Sequence, residues 1–332
     1  MNQLPFVSVV IPTYNRCDVM ETTLAHLLSQ DYPSDRFEII VGDNSTDATP
    51  EMVEQVAATS RAPVHLLWNE ERLPAVKRNA ALRLAQGDLV LFFNDDVWAH
   101  PQLLAEHART HAEAEAPIAV LGHVEQSPAM PQTPFTEWYQ PFAYDEIADR
   151  AGEPLPYRYS WSMNLSFPRR EMVERDLVFH EDWANIGHED VELGYRWVSA
   201  GRSLVYNPAA RAEHYHPHGL TSACRVQESI GRGVRDLEVL VDDPGLLERY
   251  GVFSWRNGTR AVVRGVARRG LFNAVTVPPL QSWLESRTRN TALTEWLYWK
   301  VLLHHTNRGY RNQPPRHPQP LTVLPARSEV PS

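Results

Sequence analysis

Residues 89–101 read LVLFFNDDVWAHP, and the switch inside this stretch decides the fold. Five apolar residues, Leu89 to Phe93, have the length and continuity of a strand buried on both faces. The run stops at Asn94-Asp95-Asp96, where two carboxylates stand side by side. Unpaired buried charge is costly, so the pair must cap a helix, meet water or bind a cation.

Upstream, the same grammar repeats. Residues 7–11 (VSVVI) read as a strand stopped by Pro12, 37–41 (FEIIV) as a second, and 64–68 as a third. Helix signals fill the gaps: residues 18–29 with Asp18 as N-cap, a helix opened by Thr49-Pro50-Glu51, and residues 75–86 closed by Gly87 at C′. Strands alternating with helices imply right-handed crossovers and a mostly parallel α/β sheet flanked by helices. Ligands in such sheets bind beyond the carboxyl ends of the strands. Three of those ends carry polar groups here: Thr13-Tyr14-Asn15, Asp43-Asn44-Ser45 and Asn94-Asp95-Asp96. No GxGxxG or GxxxxGK[ST] occurs, so a bound phosphate must be neutralised by other means. A divalent metal on the Asp pair is the candidate.

Beyond residue 125 the pattern changes. Pro128, Pro131 and Pro134 mark a loop, and residues 157–167 alternate as a strand with one apolar face (Trp161 among it) and one polar face carrying Asn164. Residues 187–201 read as a helix that begins with acids and ends at Gly201, followed by a short strand at 203–206 and the stretch AEHYHPHG. Helical segments are expected at 221–241 and 290–306, and the tail from Pro314 is proline-rich and of disordered composition.

The 332 residues are 43% hydrophobic and 22% charged, an ordinary globular composition. With only Cys17 and Cys224 there is no disulfide framework, which points to a reducing compartment. No basic leader precedes FVSVVIP and no apolar run is long enough to span a bilayer, so a cytoplasmic location is expected. The net charge of −9 hides an asymmetry. Residues 249–316 hold twelve basic side chains against Glu285 and Glu295, a net +10, while the remainder carries −19. An acidic body with a basic C-terminal third argues against nucleic acid as the main partner.

In order along the chain, VSVVIPTYNR, VGDNSTD, KRNAALRLAQGDLVLFFNDD, WSMNLSFPRR, GHEDVELGYR and the segment at His214 resemble family 2 glycosyltransferases over roughly residues 6–220. The resemblance implies a GT-A fold, an inverting hexosyltransferase-type enzyme and a nucleotide-sugar donor, with UDP expected. It implies a catalytic domain over 1–220, with a nucleotide-binding half (1–100) and an acceptor half (101–220). A basic helical region (221–313) and the Pro-rich tail (314–332) follow, and they match nothing in that pattern.

Residue by residue, the resemblance makes Asp43 the acceptor of a hydrogen bond from uracil, the alternative being an Asx-type turn with Ser45 and Asp47. Tyr14 would lie near the base with Thr13 beside it, and Arg78, next to Asn79, would support the nucleotide unless it is a solvated helix arginine. Asn94-Asp95-Asp96 resembles a DxD signature with Asn at its first position. Asp96 would then bind Mn²⁺ or Mg²⁺, Asp95 would contact the ribose or the ion's shell, and His214 would add a metal ligand. His216 and His218 are expected to be surface histidines, a zinc-like trio being the alternative. Asp190, with Glu189 as second choice, would be the general base, although acids in a first helical turn also complement the macrodipole. Trp161 and Asn164 would line the sugar or acceptor pocket.

The expected partners are a nucleotide-sugar donor, most simply a UDP-sugar, and a glycan, lipid-linked or small-molecule acceptor. The apolar segment TALTEWLYWKVLLHH (291–305) reads as a helix buried on the catalytic domain or in a homodimer. Peripheral contact with the inner face of a membrane is the alternative. Two rival functions remain: a sugar-nucleotide nucleotidyltransferase, whose basic glycine-rich loop is missing from PTYNR, and a nucleotide-sugar-binding protein with a lapsed site, hinted at by Asn94.

Overall fold

The computed structural model describes residues 4–183, 187–217, 219–252 and 270–314. The first four strands, β1 (Val7–Pro12), β2 (Phe37–Asp43), β3 (Val64–Trp68) and β4 (Leu89–Phe93), alternate with helices α1 (Cys17–Leu28), α2 (Thr49–Thr59) and α3 (Pro74–Leu84). The strands run parallel, in the order β3-β2-β1-β4. The central strands are apolar on both faces because helices cover each side. Phe92 and Phe93 are fully buried, and each such side chain contributes roughly 1.5–3 kcal/mol by leaving water.

The sheet continues as β4-β7-β6-β8-β5. Its members are β5 (Val97–Ala99), β6 (Ile118–Gln126), β7 (Asn164–Pro168) and β8 (Ser203–His214), with helices α4 (Leu103–Glu113), α5 (Pro134–Trp138), α6 (Arg169–Glu174) and α7 (Glu189–Ser199) between them. β7 runs antiparallel to both neighbours, β6 pairs parallel with β8, and β5 pairs antiparallel with the far end of β8. The eight-stranded α/β sheet is the expected architecture, mostly parallel and flanked by helices. A helical extension follows it: α8 (Leu220–Leu240), α9 (Leu246–Arg249), α10 (Val277–Glu285) and α11 (Ala292–Asn312).

Several local expectations fail for identifiable reasons. The alternating stretch 157–167 is not one strand: Tyr157–Tyr159 form a 3-10 turn and only Asn164–Pro168 join the sheet. The aromatic alternation there builds a cluster, in which Trp161 meets Phe142, Tyr144 and Tyr159. Gly87 is no helix cap, since α3 ends at Leu84 and Gly87 has no positive φ. A Cβ there would come within 2.4 Å of the Leu89 carbonyl oxygen and 2.7 Å of the Ser8 nitrogen, so the glycine permits close backbone approach. Gly201, by contrast, does end its helix region at φ +77°. Neither Asp18 nor Thr49 is an N-cap: the cap positions are Arg16 and Ala48, and the Asp47 carboxylate accepts from the Thr49 nitrogen (3.0 Å) and hydroxyl (2.6 Å). The strand expected at 203–206 extends to His214.

The C-terminal helices dock on the sheet domain. A second core gathers Phe135 and Tyr139 from the α5 region with Leu220, Tyr298, Val301 and Leu302, and a third joins Val191 of α7 to Leu237 and Leu246. α11 is therefore buried along one side, as expected, and runs on to Asn312. The basic run around Arg256 to Arg269, His218 and the tail from 315 lie outside the described residues.

Candidate functional site

Strand register builds the site. Only three residues separate β4 from β5, and β5 pairs Val97 with His214, so Asp96 is carried to the end of β8. The Asp96 carbonyl accepts from the Tyr215 nitrogen at 2.8 Å, which locks the two segments together. The outcome is a three-residue donor set. Asp96 Oδ1 lies 3.4 Å from His214 Nε2, Asp96 Oδ2 lies 2.5 Å from His216 Nδ1, and the ligand atoms of all three fall within 4.8 Å of one another. His216, expected at the surface, is thus a member of the cluster. The signal was its i,i+2 spacing from His214, which puts both imidazoles on one face wherever the chain is extended.

Arg16 was not anticipated. It follows β1 and sends Nη2 to Asp96 Oδ2 at 2.8 Å, with Nε 3.7 Å from Asp95 Oδ1. Burial alone would raise the Asp96 pKa, but the charges and hydrogen bonds of His214, His216 and Arg16 hold it well below the usual carboxylate range. Asp95 moves the opposite way, to about 6, through burial and the neighbouring Asp96 charge. It accepts a hydrogen bond from Thr13 Oγ1 at 2.8 Å. The two aspartates of one dipeptide are thereby split into a firmly ionised group and a readily protonated one.

On the next strand end, Asp43 is fully buried. Its Oδ1 accepts from the Ser45 nitrogen (2.9 Å) and hydroxyl (2.5 Å), so the turn expected as the alternative does form. Its Oδ2 is buried with no hydrogen-bond partner, an open acceptor of the kind that a ligand fills. Lys77 comes from α3 to the same edge, 98% inaccessible, donating to the Thr13 carbonyl (2.6 Å) and Asn44 Oδ1 (2.7 Å). Burial lowers its pKa to about 8, against the opposing pull of Asp43 and Asp95. Tyr14 is half-buried and carries the Arg72 guanidinium 4.9 Å from its ring centre.

Arg78 is not a solvated helix arginine. It is buried, donating from Nη1 to Glu189 Oε1 (2.8 Å) and from Nη2 to Asn94 Oδ1 (3.2 Å). This gives Asn94 a physical role, as a neutral acceptor that steadies Arg78 without adding a third carboxylate beside Asp95 and Asp96. Glu189 is buried as well, with Oε2 taken by the Gly187 nitrogen at 2.9 Å. Burial and the Asp190 charge raise its pKa against the pull of Arg78. Asp190 is only half-buried, and its Oδ2 accepts from the Ser162 nitrogen (2.9 Å) and hydroxyl (3.1 Å).

One site expectation is corrected. Asn164 lines no pocket: it is fully buried, with Oδ1 2.8 Å from His107 Nε2 and Nδ2 donating to the Ala210 carbonyl at 2.9 Å. It braces β7 against α4 and β8. Trp161 stays half-buried in its aromatic cluster. Beside the histidines opens a small cleft of about 30 Å³ whose walls include Gln126, Tyr139, Gln140, Phe142, His214 and His216.

Residues 8–167 match the family described as Glycosyl transferase family 2. Among curated proteins, validoxylamine A glucosyltransferase of Streptomyces hygroscopicus subsp. jinggangensis is 30% identical over 226 residues, covering 60% of this chain and 53% of that protein. The chain thus spans about half the length of that relative. Among solved structures, the Pyrobaculum calidifontis mannosyltransferase PcManGT, in complex with GDP-Man and Mn²⁺, aligns with a TM-score of 0.62 at 19% identity, covering 93% of this chain and 87% of that one. Staphylococcus aureus TarS residues 1–349 in complex with UDP aligns with a TM-score of 0.53 at 19% identity, covering 92% and 91%. At such identities the likeness establishes the fold, which is GT-A.

Proposed function

Because this chain belongs to glycosyl transferase family 2, we propose that it is a metal-dependent inverting glycosyltransferase that moves a sugar from UDP to an acceptor hydroxyl. The observation that carries the reading is the convergence of Asp96, His214 and His216 beside the strand ends. One carboxylate oxygen and two imidazole nitrogens are a fitting donor set for a divalent ion, and the nitrogens favour Mn²⁺ over the oxygen-loving Mg²⁺. When bound, such an ion supplies electrophilic stabilisation to the charge that grows on a diphosphate leaving group. PcManGT, similar in fold, is described with Mn²⁺.

The chain's own groups do the rest. Asp43 Oδ2 suits the single N3–H of uracil. Guanine would offer two donors to this carboxylate, and Oδ1 is already saturated by Ser45. Thr13, Tyr14 and Lys77 shape the same edge, and Arg16 brings fixed positive charge to where the diphosphate would lie. Asp190 accepts the acceptor's proton as its oxygen bonds the anomeric carbon and the bond to the diphosphate breaks on the opposite face, which inverts the centre. Glu189 is a poorer base because it is buried and its Oε1 is tied up in the Arg78 ion pair, whereas Asp190 is half-buried and has only hydrogen-bond donors around it, Val191 on Oδ1 and Ser162 on Oδ2. Ser162 holds Asp190 in line, the positional share of the rate gain.

Titration calorimetry tests the core of this. UDP should bind at least about tenfold more tightly with Mn²⁺ present, the usual size of coupling between linked ligands. In Asp96→Ala that increment should vanish, with circular dichroism checking that the fold is retained. UDP affinity indifferent to both Mn²⁺ and the substitution would overturn the reading.

A further inference from the structure

Half of the exposed large apolar side chains among the described residues, six of twelve, fall between Leu271 and Trp299. Exposed apolar residues scattered singly need no explanation, but a cluster does. On α11 the inner face is spent: Tyr298, Val301 and Leu302 pack with Leu284 of α10 in the C-terminal core. The outer face carries Leu293, Trp296 and Trp299, which are 59%, 47% and 49% exposed and spaced by three residues along one side of the helix. Trp283 on α10 is exposed as well. Cations lie over these rings. Lys300 Nζ is 3.8 Å from the Trp299 ring centre and 5.2 Å from that of Trp296, and the Arg287 guanidinium is 4.6 Å from that of Trp283.

From this arrangement we infer that the outer face of α11, with α10, seats the protein on an anionic lipid surface. Indole rings favour the boundary between headgroups and acyl chains, where the ring is sheltered and its N–H stays wet. A lysine or arginine lying on each ring then meets lipid phosphate as the ring sinks. Charge also argues against a second copy as the occupant. A two-fold contact through this face would press the patch that carries Lys300 and Arg287 onto an identical patch of the same sign, and like charges at an interface are penalised. No helix among the described residues is long and apolar enough to cross a membrane, so the contact is one of lying on the surface.

Flotation of the full chain with vesicles tests this independently of the catalytic reading. Wild type should float with phosphatidylcholine vesicles that contain phosphatidylglycerol, poorly with phosphatidylcholine alone, and less as salt is raised. Joint Trp296→Ser and Trp299→Ser should cut the bound fraction about tenfold, with an unchanged unfolding midpoint. Lys300→Glu, which leaves the apolar face in place, should lower binding several-fold at low salt only. No flotation of wild type overturns the inference, as does equal flotation of both variants. Concentration-dependent dimerisation abolished by the tryptophan pair would also overturn it, by assigning the face to a second copy.

Discussion

At the strand ends, Asp43, Lys77 and Asp96 are each at most 4% exposed and hang from parallel strands or from the helix behind them. Away from the strand ends, Asp190, Trp161 and His216 are half-buried and come from a helix start, an aromatic turn and the chain just past β8. The first group is fixed by sheet register, so its polar atoms are pre-aimed and cost little reorganisation when charge develops nearby. The second is fixed by side-chain packing and by hydrogen bonds from neighbouring turns, which suits a wall that must admit and release an acceptor. If that division is right, substitutions on the two sides should separate cleanly into effects on turnover and effects on binding.

The largest separation is expected at Asp190. Asp190→Asn keeps an acceptor oxygen for Ser162 but removes the proton-accepting charge, and general-base loss typically costs about 10²–10⁴-fold in rate. Transfer kinetics should show that loss in kcat, while UDP affinity measured by calorimetry changes little. A variant with normal kcat and weakened UDP binding would move Asp190 to the donor side and break the division.

The same division sets what was legible in the sequence. Buried parallel strands announce themselves as unbroken apolar runs, so β1, β2 and β4 and their polar ends could be read directly. Arg16 and Asn164 could not, and the His214–His216 spacing could not be tied to Asp96, each for its own reason. His216 depends on β5, three residues long and too short to leave a periodic signal. Arg16 sits at a helix start, where a basic residue looks like ordinary solvated surface until Asp95 and Asp96 are brought to it. Asn164 lay on the polar face of a stretch read as a strand, yet that face turns into the protein. There it meets His107, and a polar residue in a buried network looks the same in sequence as one in a pocket.

That network predicts the next effect, on stability. His111 Nε2 lies 2.8 Å from Ser166 Oγ, Ser166 Oγ lies 2.8 Å from His107 Nδ1, and His107 Nε2 lies 2.8 Å from Asn164 Oδ1. Asn164 Oδ1 can only accept, so His107 Nε2 carries the proton, Ser166 donates to Nδ1, and His111 donates to Ser166. Protonating His107 would cost the Ser166 hydroxyl its acceptor at Nδ1 and place an uncompensated charge in a fully buried site. Burial pushes the His107 pKa down to about 4, and that of His111 to about 3. With a folded pKa below the unfolded one near 6.5, the unfolded chain binds more protons between those values. Stability is therefore intact above about pH 6.5 and falls as pH drops toward 4, by roughly 2–3 kcal/mol through His107. Urea unfolding across that window checks it, and His107→Phe should show a shallower pH dependence whatever its starting stability. An unchanged slope in that variant would remove the histidine from the account.

The smallest effect is also the most discriminating, because it tests whether the strand-end side reads a base at all. Asp43→Asn keeps the shape of the side chain, and its amide oxygen can still accept from Ser45. What changes is the far atom: a buried acceptor becomes an N–H donor, aimed where uracil would offer its own N3–H. Two donors opposed at one point should weaken UDP binding about tenfold, the cost of a buried mispaired group. Cytosine presents an unprotonated N3, so CDP should bind the variant no worse than wild type, and the preference for UDP over CDP should narrow by about the same factor. A general loss of affinity for both nucleotides would mean that Asp43 only shapes its turn. A selective loss for UDP requires Oδ2 to face the base, since no rearrangement of the turn alone distinguishes a ring N–H from a lone pair.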